Sequence, residues 1–155
     1  MPVRRYIVLA FRSMGSLLVV EDDQDLRDVL AEALEAEGWT VHAAASAEHA
    51  LSIAESTAID VVLCDLLLPT ADGLTLRAQF QSIPALRAIR FVFMTAGPSR
   101  VGHLDGAPLL SKPFRPEEAS RVLAAAAASR LRAPFRQAEL DRACVTTQRK
   151  TGEAA

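Results

Sequence analysis

The sequence has few cysteines, few aromatic residues and little net charge. Its 155 positions hold two cysteines and 5% aromatic residues, and 17 basic against 19 acidic residues leave a formal net charge of −2. Cys64 and Cys144 show no metal-ligand spacing and suggest no disulfide framework, which is typical of a reducing compartment. The balanced charge argues against a nucleic-acid-binding surface. A chain of this length is expected to form one domain.

Long hydrophobic runs are also absent. No stretch approaches the roughly 20 apolar residues that a membrane-spanning helix needs. The apolar patch at residues 6–11 follows Arg4 and Arg5, but it is too short for the apolar region of a signal peptide. We therefore expect a soluble, cytoplasmic protein with no membrane contact. Residues 1–14 are interpreted as an N-terminal extension, with Met14 as an alternative natural start.

What the sequence does contain is a regular alternation of short apolar runs and amphipathic segments. The runs at 17–20, 40–44, 59–65, 90–95 and 109–111 predict strands, and the periodicity near 25–37, 46–56, 73–82 and 116–131 predicts helices. This alternation predicts an α/β fold with a parallel sheet covered on both faces. The segment 97–108 holds three glycines and two prolines, so a helix there is expected to be short or irregular.

Polar side chains follow four of the predicted strands. Because the carboxyl ends of parallel strands meet at one edge of a sheet, these side chains are expected to lie together: Glu21, Asp22, Asp65, Thr95 and Lys112. Three carboxylates at a dry edge repel one another unless a cation neutralises them, and Mg²⁺ is the simplest such ion. A lysine and a threonine hydroxyl beside them suit an oxyanion. The set predicts a phosphoryl group on or near Asp65.

In their order and context, these residues resemble the receiver domain of two-component response regulators, over about residues 17–132. The matching motifs are Glu21-Asp22, Asp65, Pro69-Thr-Ala-Asp-Gly73, Thr95-Ala96 and Lys112-Pro113-Phe114. The resemblance implies a flavodoxin-like (βα)5 three-layer sandwich with sheet order 2-1-3-4-5. It divides the chain into a receiver domain at 15–132 and a partly helical or disordered tail at 133–155.

The resemblance also implies a role for each site residue. Asp65 would accept phosphate from a sensor histidine kinase or a histidine phosphotransfer protein. Asp22, Asp65 and the Leu67 backbone carbonyl would hold Mg²⁺, with Glu21 acting directly or through water. Lys112, expected to precede a cis peptide bond to Pro113, and Thr95 would contact the phosphoryl oxygens. Output would pass through contacts with an unknown downstream protein, and nucleic acid is not an expected partner.

Two departures from the family pattern keep other hypotheses open. Leu109 stands where the family often has tyrosine or phenylalanine, and the span from Thr95 to Lys112 is unusually short. A second hypothesis is therefore a receiver-like module that binds its partner constitutively, with weak or vestigial phosphorylation. A third is a haloacid-dehalogenase-type phosphatase, although Leu67 occupies the position where such enzymes usually carry a second aspartate.

Overall fold

A computed structural model describes residues 13–97, 104 and 106–131 of the chain. The predicted N-terminal extension, apart from Ser13 and Met14, and the predicted tail lie outside these residues. No helix within the described ranges has both the length and the apolar composition that crossing a bilayer requires.

The described residues form five strands and four helices, which alternate except that the fifth strand follows the fourth directly. They are β1 (Gly15–Val20), α1 (Gln24–Ala36), β2 (Trp39–Ala44), α2 (Ala47–Ser56), β3 (Val61–Asp65), α3 (Gly73–Ser82), β4 (Arg90–Thr95), β5 (Leu109–Ser111) and α4 (Pro116–Leu131). The predicted bounds of α3, β4, β5 and α4 are confirmed. β3 begins at Val61 and not at Ile59, because the Asp60 carboxylate accepts a hydrogen bond from the Ser16 backbone N–H (2.8 Å).

The strands form one parallel sheet in the order β2-β1-β3-β4-β5, which confirms the predicted topology. All carboxyl ends therefore face the same edge. Between β4 and β5, the described residues 96–97, 104 and 106–108 form no helix. The expected shortening of this crossover is thus seen in the part of it that the structure describes.

Successive side chains of each strand enter two different cores, one on each face of the sheet. Leu18, Val62 and Phe93 pack with residues of α2 and α3. Leu17 and Leu63 pack with residues of α1 and α4 on the other face. Because both faces are covered, the central strands β1, β3 and β4 carry continuous buried runs and do not alternate between buried and exposed residues. A charged group at a strand end is therefore held against a dry sheet.

Three helices begin at a side chain that caps them. Asp23, Ser46 and Asp72 accept hydrogen bonds from the backbone N–H groups of Leu26, His49 and Thr75, respectively. Each satisfies an N–H that has no partner within its helix. The caps place the first turns of α1 and α3 beside the carboxyl ends of β1 and β3, where the acidic residues lie.

Candidate functional site

Asp65 is the last residue of β3 and lies at the centre of the carboxyl edge of the sheet. It is 8% exposed, so only a small part of the residue reaches solvent. Its Oδ1 accepts a hydrogen bond from the Leu67 backbone N–H (2.9 Å). The apolar run of β3 thus carries a carboxylate to the edge, and the loop that follows holds one of its oxygens.

Lys112 connects two acidic residues that are distant in sequence. Its Nζ lies 2.6 Å from Asp65 Oδ2 and 2.9 Å from Glu21 Oε2. The peptide bond to Pro113 is cis, as the resemblance implied. The Lys112 backbone N–H also donates to the Thr95 carbonyl oxygen (2.8 Å). Pairing of β4 with β5 therefore brings Thr95 and Lys112 to the same edge as Asp65.

The electrostatics of this group follow from burial. Burial raises the pKa of Glu21 above its ordinary value; the hydrogen bond from Lys112 offsets only part of this effect, and the neighbouring Asp65 adds to it. Desolvation alone would lower the pKa of Lys112, but the hydrogen bonds to Asp65 and Glu21 together outweigh it, so the pKa is raised. The lysine stays charged because two carboxylates share it.

Asp22 completes a group of three carboxylates. Glu21, Asp22 and Asp65 each offer one oxygen, and these oxygens lie within 4.8 Å of one another. Glu21 is buried, whereas Asp22 is exposed. One lysine cannot neutralise three carboxylates, and closely placed oxygen donors with access to water are the ligands that Mg²⁺ prefers. The donor set therefore fits a hard divalent cation.

Thr95 and Leu67 complete the predicted set. Thr95 ends β4 and is 5% exposed. Leu67 lies in the loop after β3, paired with Asp72 in an isolated bridge, and its side chain is 75% exposed. The structure thus places all predicted residues at one edge: Glu21, Asp22, Asp65, Leu67, Thr95 and Lys112.

Two residues that the sequence reasoning missed support the site. Arg27, one turn into α1, donates from Nη1 to the carbonyl oxygens of Glu21 (2.8 Å) and Asp22 (3.3 Å) and so holds the acidic loop. Gly73 begins α3 so close to β3 that an added Cβ would lie 2.8 Å from the Asp65 carbonyl oxygen. Its place in a turn motif was visible in the sequence, but this contact was not.

Comparison with known proteins gives consistent matches. The model of the response regulator receiver domain family matches residues 17–124. Transcriptional regulatory protein CpxR of Escherichia coli is 33% identical over 68% of this chain and 46% of CpxR. A probable transcriptional regulator, ycf29 of Porphyra purpurea, is 31% identical over 66% of this chain and 52% of that protein. The chain spans about half the length of these two curated relatives.

Solved structures of response regulators are also similar to this chain. A putative response regulator from Chloroflexus aurantiacus is 33% identical, with a TM-score of 0.63, over 71% of this chain and 98% of that one. The chemotaxis response regulator CheY4 of Vibrio cholerae is 27% identical, with a TM-score of 0.63, over 72% and 100%. With the family model covering most of the chain, these likenesses lead to one conclusion: the chain belongs to the response regulator receiver domain family.

Proposed function

We propose that this chain is a phosphorylation-dependent signalling receiver that accepts a phosphoryl group on Asp65. The observation that carries the proposal is the position of Lys112 Nζ, 2.6 Å from Asp65 Oδ2. A phosphoryl group on this carboxylate would lie within reach of the same ammonium. The family consists in general of signalling modules, which weighs against the phosphatase hypothesis.

In the proposed reaction, a carboxylate oxygen of Asp65 forms a bond to phosphorus while the bond from phosphorus to the donor imidazole nitrogen breaks. Negative charge is then spread over the phosphoryl oxygens, and Lys112 is placed to stabilise it. Thr95 offers a hydroxyl donor at the neighbouring strand end. The Leu67 N–H holds one Asp65 oxygen and so orients the carboxylate.

Glu21, Asp22 and Asp65, with the Leu67 carbonyl, are the residues that would hold Mg²⁺. When bound, this ion supplies positive charge that neutralises the carboxylates and the phosphoryl oxygens. Without this ion, Lys112 is the residue whose salt bridges neutralise these carboxylates, and it reaches Glu21 and Asp65 only. We therefore expect phosphorylation to depend on Mg²⁺.

The proposed donor is a phosphohistidine on a sensor kinase or a phosphotransfer protein. An apolar groove of about 440 Å³ opens beside Lys112, between α1 and the start of α4. Val29, which lines it, is 63% exposed. Such a surface beside the phosphoacceptor supports a protein donor over a free metabolite. The downstream protein and the expected cytoplasmic location stay predictions, as does the boundary of the receiver domain at 15–132.

The test is the mass of the intact protein after incubation with acetyl phosphate, with Mg²⁺ or with EDTA. We expect the mass of one phosphoryl group to be gained with Mg²⁺ only, and not in Asp65→Asn. Asp72→Asn is the matched control, because Asp72 lies in the same loop but outside the cluster, and asparagine also caps helices. Equal phosphorylation of Asp65→Asn and the wild type would refute the assignment of Asp65.

The constitutive binding module remains the second candidate, because two observations favour it. Leu109 is 36% exposed at the start of β5 and offers no aromatic ring, and the described part of the β4–β5 crossover is not helical. Hydrogen exchange of the phosphorylated and unmodified protein separates the two functions. Changed protection in β4 and β5 supports a switch, whereas stoichiometric phosphorylation without any change supports the constitutive module.

A further inference from the structure

A second cavity lies at the end of the sheet opposite to Asp65. It has a volume of about 420 Å³ and lies between α3, the first residues of β4, the segment before β5 and the second half of α4. We call it the β5-edge cavity. Its lining includes Arg90, the first residue of β4, and Pro108, which precedes β5, so it faces the amino ends of these strands. Its size is within the range of small-molecule sites.

The cavity exists because β5 is short. β5 pairs with β4 only from Phe93 to Thr95, which leaves the first three residues of β4 without a β5 neighbour. The Pro108 carbonyl oxygen accepts a hydrogen bond from the Phe93 N–H (2.9 Å), but Pro108 has no N–H to donate to β4, and Gly106 turns the chain with a φ of +77°. The described residues of the crossover form no helix over this edge.

Three arginines from two neighbouring elements and a loop line the cavity, and none of its lining residues within the described part of the chain is acidic. Arg77 lies on α3 and donates from Nη1 to the Leu104 carbonyl oxygen (2.5 Å), which ties it to the crossover. Arg87 and Arg90 are exposed, and the salt bridges within the described residues involve neither of them. Guanidinium groups stay charged at all physiological pH values.

The rest of the lining is largely apolar. Phe91 and Ala126 are buried, and Val122 and Ala125 of α4 form the facing side. Gln81 adds a polar side chain on α3. The cavity thus combines a cationic side with an apolar side. A ligand that matches both must carry negative charge at one end and an apolar ring or chain at the other.

We propose that the β5-edge cavity binds a small ligand that carries phosphate groups on a ring system, with nucleotides as the chemical class. Arginine binds phosphate through two parallel hydrogen bonds, and the two exposed guanidinium groups, those of Arg87 and Arg90, suit an anion with more than one charge. An aromatic base would lie against the apolar side. The site is far from Asp65 along the strands, so this binding does not require phosphorylation of Asp65.

Calorimetric titration of the full chain with ADP tests the proposal. EDTA is present so that the nucleotide cannot bridge through a metal ion to the acidic edge. We expect saturable binding of one ADP, weaker binding of pyrophosphate, which lacks the ring, and none of adenosine, which lacks the phosphates. Citrate tests whether the cavity binds carboxylate anions equally well. If citrate binds as tightly as ADP, the proposal that the ligand carries phosphate groups is wrong.

The variants Arg87→Ala and Arg90→Ala are each expected to weaken ADP binding about tenfold, because each removes hydrogen bonds to a charged group. Arg121→Ala is the matched control. It removes the same charge from an exposed position on α4 that does not line the cavity, and less than about a twofold change is expected, because general charge effects are screened by salt. Ser129→Glu, which brings a carboxylate to the rim, is expected to abolish binding.

Three further results would overturn the proposal. The first is that neither ADP nor pyrophosphate binds at millimolar concentration. The second is that Arg121→Ala weakens ADP binding as much as Arg87→Ala does. The third is binding of polyglutamate without binding of ADP, which would mark the surface as a protein-docking face. Circular dichroism and unfolding midpoints are measured for every variant. If Arg90→Ala does not fold, Arg87→Ala in a surface loop and Ser129→Glu on the outside of α4 still decide the question.

Discussion

Replacement of Gly73 by alanine is expected to destabilise the protein and to impair phosphorylation of Asp65. Gly73 is the first residue of α3 and is buried against the end of β3. An added Cβ would lie 2.8 Å from the Asp65 carbonyl oxygen, 3.1 Å from Phe93 Cε1 and 3.2 Å from Cys64 Sγ. The shortest contact is to backbone, which cannot rotate away, so α3 or the end of β3 must shift.

The size of the effect follows from two opposed contributions. Overpacking of a close-packed interior costs about 1–3 kcal/mol. Alanine is a better helix former than glycine by about 0.5–1 kcal/mol within a helix, and by less at its first residue. We therefore expect the free energy of unfolding to fall by about 1–2 kcal/mol. The shifted carboxylate should also be phosphorylated more slowly than in the wild type.

Urea unfolding followed by circular dichroism measures the first effect, and intact mass after timed incubation with acetyl phosphate measures the second. Gly97→Ala is the matched control, because a Cβ there meets no atom within 4 Å. It should leave the unfolding free energy within about 0.5 kcal/mol of the wild type. If Gly73→Ala is as stable as this control, the argument from close packing is wrong.

Three further predictions concern the charged and buried groups around the site. Lys112→Met leaves the carboxylates of Glu21 and Asp65 facing each other and should lower the unfolding free energy at pH 8 by about 3–5 kcal/mol. Urea unfolding should show a smaller loss of unfolding free energy at pH 5 than at pH 8, because a carboxylate can take up a proton at pH 5. An equal loss at the two pH values would contradict this explanation. Asp72→Ala removes the cap of α3 and should cost about 1 kcal/mol at pH 7. The hydrogen bond from the Thr75 N–H lowers the pKa of Asp72, so the difference should be full above about pH 4 and become smaller as the pH falls through the folded-state pKa. Unfolding curves of both proteins at several pH values would show this. Burial raises the pKa of the Cys64 thiol, so iodoacetamide should label it only in urea when the other cysteine is replaced by serine; rapid labelling of the native protein would refute its burial.

Local patterns in the sequence determined the elements and the identity of the site residues. The apolar runs predicted β4 and β5 with their observed bounds, and Pro116 marked the start of α4. These features depend on neighbouring residues, because strand and helix periodicity act over a few positions. The strand-end motifs placed Asp65 and Lys112 at one edge, since parallel strands share their carboxyl side.

The shortening of the β4–β5 crossover could also be predicted in part from the sequence. The glycines and prolines in 97–108 indicated poor helix-forming potential, and the described residues there are not helical. The cavity that this shortening exposes could not be predicted from the sequence. The β5-edge cavity depends on Arg77 of α3 and Ser129 of α4, which approach each other only after the sheet has formed.

Tertiary structure alone decided how the site residues interact. Lys112 bonds to both Asp65 and Glu21, which are 47 and 91 positions away, and no local pattern encodes this sharing. The raised pKa of Glu21 arises from burial by distant residues, and the need for glycine at position 73 arises from the carbonyl of Asp65. Strand ends could thus be assigned from the chain, whereas distances, burial and proton affinities are set by packing between segments that meet only in the folded protein.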